Sequence, residues 1–192
     1  MMRPRMELIV IGASWGGQKA LEALVGALPA GLPCPIAVAQ HRAATDSPDV
    51  AGGLARACAL TVRDALDKEA LAAGHVYVAP ADYHLLIEAR GTLALATTAP
   101  VNSARPSIDV LFDTAAAAYG AAAAGVILTG ASADGAAGLA RIEAHGGMAF
   151  VQDPATAECA IMPAAAVAAT SGPIVLPLDR LAEELVRLAE RR

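Results

Sequence analysis

Short apolar runs alternate along this chain with segments whose apolar positions recur every three or four residues. Residues 7–11, 35–39, 60–63, 75–79, 126–128, 148–151 and 174–176 read as strands, apolar enough in places to be buried on both faces. Between them, residues 16–28, 49–58, 108–119, 135–143, 162–169 and 178–190 read as helices. The first carries Leu21, Leu24 and Leu28 on one face and is stopped by Pro29, Pro33 and Pro35; the last is amphipathic. Residues 83–88 and 92–96, around Arg90-Gly91, predict a hairpin. This order predicts an α/β, doubly wound fold: a mostly parallel sheet with helices on both faces, right-handed crossovers and a short antiparallel hairpin. There is no internal repeat and no long linker, so residues 1–192 are expected to form a single domain.

The composition sharpens this picture. A chain of 192 residues can bury a sizeable core, and with 56% hydrophobic but only 3% aromatic residues that core must be aliphatic. A net charge of −5 argues against a nucleic-acid footprint, and Arg3, Arg5, Arg191 and Arg192 read as solvated tails. Cys34, Cys58 and Cys159 form no C-x-x-C and no zinc spacing, which predicts buried free thiols in a reducing compartment. No histidine pair has the i, i+4 spacing of a helical metal site, so no metal is expected. The basic start lacks the long apolar region of a signal peptide. The uncharged stretch 114–133 is mostly alanine, interrupted by Gly120, Gly125 and Gly130, and reads as a helix followed by a buried strand rather than a membrane span. A cytoplasmic, soluble protein is predicted.

The candidate chemistry lies where strands end. Gly12, Ser14 and Gly16 spell G-x-S-x-G between the first strand and the first helix, the setting of a nucleophile elbow. Such a turn pushes the serine out of the sheet and beside free N–H groups at a helix start. A glycine-rich turn could cradle a phosphate instead. However, a dinucleotide site wants an acid after the second strand, and Gln40-His41-Arg42 stands there; the Walker lysine pattern is also absent. His41 follows the second strand and Asp134 follows the strand at 126–128, so serine, histidine and aspartate emerge from one sheet edge. That set performs acyl transfer: the imidazole takes the hydroxyl proton and the carboxylate fixes its tautomer. Each has a plainer alternative. Ser14 could be a small turn residue, His41 a loop residue, and Asp134 the cap of the helix after it. His75, His84 and His145 read as structural. The order Ser14, His41, Asp134 differs from the Ser-Asp-His order of α/β-hydrolases.

The segments Ile11-Gly12-Ala13-Ser14-Trp15-Gly16-Gly17, Ala39-Gln40-His41, Gly74-His75-Val76-Tyr77-Val78-Ala79-Pro80, Arg105-Pro106-Ser107-Ile108-Asp109-Val110-Leu111-Phe112, Gly125-Val126-Ile127-Leu128-Thr129-Gly130, Asp134-Gly135-Ala136, Gln152-Asp153-Pro154 and Met162-Pro163 together resemble the catalytic domain of the CheB-type protein-glutamate methylesterases. The resemblance implies hydrolysis of glutamyl γ-methyl esters on the cytoplasmic helices of chemoreceptors, with deamidation of glutamine in many members and no cofactor. It implies Ser14, His41 and Asp134 as the triad, with the N–H groups of Trp15 and Ala131 as oxyanion donors. The chain departs from the family pattern at Trp15 and at Ala131, where the family has a methionine. It departs again after His41, where 42–46 lacks the family's Met-Pro-Pro-Gly-Phe-Thr; with no room for the family's receiver domain before Met6, a stand-alone methylesterase or a fragment of a longer protein is expected. A binding module that retains the fold, with Trp15 filling the pocket, and an esterase of small molecules are the alternative readings.

Overall fold

The computed structural model describes residues 5–43, 45, 49–89 and 91–190. Its main sheet contains β1 (Leu8–Ala13), β2 (Ile36–Gln40), β3 (Thr61–Asp64), β4 (His75–Val78), β7 (Ala123–Ile127), β8 (Met148–Gln152) and β9 (Ile174–Leu176). The spatial order is β3-β4-β2-β1-β7-β8-β9, and every pairing is parallel. The strands β5 (His84–Glu88) and β6 (Thr92–Ala96) form the expected antiparallel hairpin, apart from this sheet. Arg90, placed in the hairpin turn by the sequence, lies outside the described residues, as do Arg3, Arg191 and Arg192.

Parallel strands covered on both sides send alternate side chains to opposite layers. Ile9, Ile11, Ile36, Val38, Val76 and Val78 face a cluster shared with α1 (Gly17–Gly26), α2 (Val50–Ala57) and α6 (Leu178–Ala189). Leu8, Val10, Ala37, Ala39, Tyr77 and Ala79 face the other cluster, shared with the hairpin, α3 (Ile108–Tyr119), α4 (Ala136–Ala144) and α5 (Ile161–Ala169).

One difference from the sequence reading bears on the site. β1 runs on to Ala13, because Ala13 pairs with Gln40 at the end of β2. Ser14 is therefore the first residue off the strand. The chain steps from β1 to one side through β2 and returns to the other side at β7, so strand order reverses between β1 and β7, where ligands of such sheets bind. The cysteine expectation holds in part. Cys34 is buried, and burial, only partly offset by Arg5, pushes its thiol up to about 12, whereas Cys58 and Cys159 are half-exposed. Among the described residues no helix is long and apolar enough to cross a membrane.

Candidate active site

Ser14 begins a tight turn. Its carbonyl accepts from the Gly17 N–H at 2.8 Å, and Gly16 takes φ 73°, ψ −2°, the geometry of the third position of a type II turn, which favours glycine. Gly12 is needed for a different reason. A β-carbon there would stand 2.3 Å from Cγ2 of Ile108, and one on Gly135 would stand 2.5 Å from the same atom. Ile108 is thus wedged between the end of β1 and the start of α4, and this brings the first turn of α3 to the site.

Both backbone groups of Ser14 are pinned. Its N–H donates to the Thr129 carbonyl at 3.0 Å. Its carbonyl also accepts from Gln40 Nε2 at 2.8 Å, and the same amide reaches the His41 carbonyl at 3.0 Å. The His41 N–H donates to the Ala13 carbonyl at 2.9 Å, which continues the β1–β2 register by one step and sets His41 opposite Ser14. The Ser14 hydroxyl makes no hydrogen bond to another described residue, nor do the N–H groups of Trp15 and Ala131. Ala131 lies two residues past Thr129, and a β-carbon on the intervening Gly130 would come within 2.9 Å of Ser14 Cβ.

Asp134 is brought to His41 directly: His41 Nε2 donates to Asp134 Oδ2 at 2.7 Å. An ionised carboxylate can only accept, so this nitrogen carries the proton, and in the neutral ring Nδ1 is left as the acceptor. The rest of the Asp134 carboxylate is fully engaged. Oδ2 also accepts from the Ile108 N–H at 2.6 Å, and Oδ1 accepts from Asn102 Nδ2 at 2.8 Å, Ser107 Oγ at 2.9 Å and the Asp109 N–H at 3.3 Å. Burial alone would raise this carboxyl. The bonds from His41, Asn102 and Ile108, together with the His41 charge, outweigh burial and hold it below the usual aspartate range.

Asp134 does not cap the helix after it. The Gly135 and Gly138 N–H groups of α4 are taken by Asp109 Oδ1, from α3, at 3.0 and 2.7 Å. Of the remaining histidines, His75 and His145 bond only backbone carbonyls. His84, fully buried, accepts from the Ser107 N–H at 3.2 Å through Nδ1 and donates to the Ala99 carbonyl at 3.1 Å through Nε2. It is structural, as expected, yet it steadies a residue that holds Asp134.

Sequence reasoning passed over Asn102, Ser107 and Asp109, although two of them stood inside a quoted motif. Polar residues flanking the apolar start of a helix were the available signal. Trp15 is 67% exposed. Beside His41 a cleft of about 470 Å³ opens between Arg42, Asp82 and the segment from Pro100 to Pro106. In the departing segment after His41, Ala44 and Asp46 lie outside the described residues. Among the described residues no cluster of three or more His, Cys, Asp or Glu side chains could hold a metal ion.

Comparison with known proteins gives one consistent result. The model of the CheB methylesterase family matches residues 9–185. A protein of Leptospira interrogans (strain Fiocruz L1-130), provisionally named protein-glutamate methylesterase/protein-glutamine glutaminase, is 46% identical over 182 residues, covering 95% of this chain and 94% of its own length. A protein-glutamate methylesterase/protein-glutamine glutaminase of Anaeromyxobacter dehalogenans is 42% identical across 96% of this chain, which spans 54% of that longer protein. The crystal structure of the Thermotoga maritima CheB methylesterase catalytic domain superposes with a TM-score of 0.89 at 33% identity, over 96% of this chain and all of that one. With nearly its whole length matched by sequence and by fold, this chain belongs to the CheB methylesterase family.

Proposed function

We propose that the chain hydrolyses glutamyl γ-methyl esters on proteins, the cytoplasmic helices of chemoreceptors being the expected substrates, and that Ser14, His41 and Asp134 perform the reaction. The observation that carries this reading is the 2.7 Å bond from His41 to Asp134, made one strand away from a serine whose hydroxyl has no hydrogen-bond partner among the described residues. Ser14 Oγ attacks the ester carbonyl as His41 Nδ1 takes its proton, and Asp134 supports the resulting imidazolium through Nε2. The oxyanion is received by the N–H groups of Trp15 and Ala131. The carbonyl–methoxy bond breaks, and methoxide leaves as methanol with the proton from His41. Water, deprotonated by His41, then releases glutamate and restores Ser14. Glutamine follows the same path with ammonia as the leaving group, in keeping with the double name of the relatives. A cytoplasmic location goes with this reading, because the substrate helices lie there.

The exposure of Trp15 speaks against the alternative of a binding module with a plugged pocket. Methanol release from a methylated receptor fragment tests the proposal. Ser14→Ala is expected to reduce release to background while the circular dichroism spectrum is unchanged. Full activity in that variant overturns the mechanism.

A further inference from the structure

We infer that Asn102 is a positioning residue for this site: its side-chain amide, delivered by a tight turn, holds the Asp134 carboxylate in line with His41 and apart from the carboxylate of Asp109. The inference rests on the triad reading above and goes beyond it.

The turn is closed by backbone hydrogen bonds. Val101 and Ala104 exchange hydrogen bonds of 3.1 Å (Val101 N–H) and 2.9 Å (Ala104 N–H), closing a two-residue loop. Both loop residues, Asn102 at φ 51° and Ser103 at φ 61°, are left-handed, as in a primed hairpin turn, and asparagine tolerates that conformation better than most side chains. The Asn102 amide has two N–H bonds. They go to Asp134 Oδ1 at 2.8 Å and to Asp109 Oδ2 at 2.7 Å.

Two carboxylates side by side repel, and burial together with the Asp134 charge raises the Asp109 carboxyl. A shared donor lets both remain ionised. The other groups facing the pair are His41, the Ser107 hydroxyl and the N–H groups of Ile108, Asp109, Gly135 and Gly138. The nearby cations look elsewhere: Arg42 donates to the Ala79 carbonyl, and Arg105 to Asp82 and the carbonyls of Thr97 and Thr98. Asp134 gives Oδ2 to His41 and is anchored by Oδ1. Without Asn102, the anchoring oxygen loses one of its two side-chain donors, and Asp134 keeps more of its charge for the imidazolium.

Two variants separate positioning from folding. Asn102→Gly keeps the left-handed turn at no steric cost and removes the amide. Asn102→Asp keeps size and turn preference but replaces the donor with an acceptor. In methanol-release assays, Asn102→Gly is expected to lower kcat by about ten- to a hundredfold, the scale of a slightly misplaced catalytic group, with KM little changed. The acid limb of its kcat–pH profile should move to higher pH, and Asn102→Asp should do both more strongly. A wild-type kcat and limb in Asn102→Gly overturn the inference, as does a lower kcat with an unmoved limb, which is what general loosening gives. Ser14→Ala is run alongside. If it is inactive and Asn102→Gly is normal, the positioning role alone falls; if Ser14→Ala is fully active, the triad reading falls.

Discussion

The hydroxyl of Thr129 donates to the carbonyl of Trp15 at 2.9 Å, joining the loop after β7 to the turn that carries Ser14. The same oxygen accepts the Cys159 N–H at 2.8 Å, so one side chain ties three segments together. Thr129→Val keeps the shape and leaves the Trp15 carbonyl and the Cys159 N–H without this partner. A loss of about 1–3 kcal/mol in denaturant-derived stability is expected from such unpaired groups, with a fall in activity larger than that loss explains at assay temperature. Unchanged stability and activity would show that the tie is dispensable.

Asp134 is surrounded by donors, and an amide in its place brings a nitrogen to face at least two of them. Asp134→Asn is therefore expected to lower kcat by about 10³- to 10⁴-fold, as when a triad histidine is held in the wrong tautomer. Steady-state kinetics decide this; a drop smaller than tenfold removes Asp134 from the role.

The two neighbouring carboxyls give opposite stability slopes. Asp134, held below the usual range, contributes stability above the ordinary aspartate value of about 3.9, and that contribution is lost as pH falls toward its depressed folded value. Asp109, raised by burial and by Asp134, costs stability when ionised, and acidification through its raised value relieves that cost. Denaturation midpoints from pH 7 to pH 3 should therefore show the gap between wild type and Asp134→Asn narrowing below about pH 4. A gap that stays constant with pH contradicts the assignment.

Gly130 fits where nothing larger does. A β-carbon there would meet the Met162 thioether at 2.7 Å and Ser14 Cβ at 2.9 Å. The methionine can swing aside; the serine, with both backbone groups bonded, cannot. Gly130→Ala should cost about 1–3 kcal/mol by overpacking, and kcat should fall by more than about tenfold because Ser14, the proposed nucleophile, is displaced. Thermal melts and kinetics on the same preparation test both parts.

Much of this architecture was legible in the chain because parallel strands buried on both faces are continuous apolar runs, and because Ser14, His41 and Asp134 each stand just past such a run. Strand ends were misplaced by one to three residues where alanine and glycine, which signal neither strand nor turn strongly, carry the boundary, as at Gly12-Ala13 and Ala123-Ala124-Gly125. The ring of donors around Asp134 could not be read, because it is assembled from a turn at Asn102 and a helix start at Ser107–Asp109. The helix start meets Asp134 where Ile108 is wedged between Gly12 and Gly135. Nothing local in the sequence reports that contact.

Asp109 belongs to α3 but occupies the cap of α4. Asp134, just before α4, in turn accepts the Ile108 and Asp109 N–H groups at the start of α3, so each helix start is held by a carboxylate from the other's segment, and the two should fray together rather than separately. In native-state hydrogen exchange, the amides of Gly135 and Gly138 are expected to open with the same free energy as the first turn of α3. A separate, earlier opening of α4 would mean that the shared cap does not couple them. If the coupling holds, the layer that holds Asp134 in place opens and closes as one body.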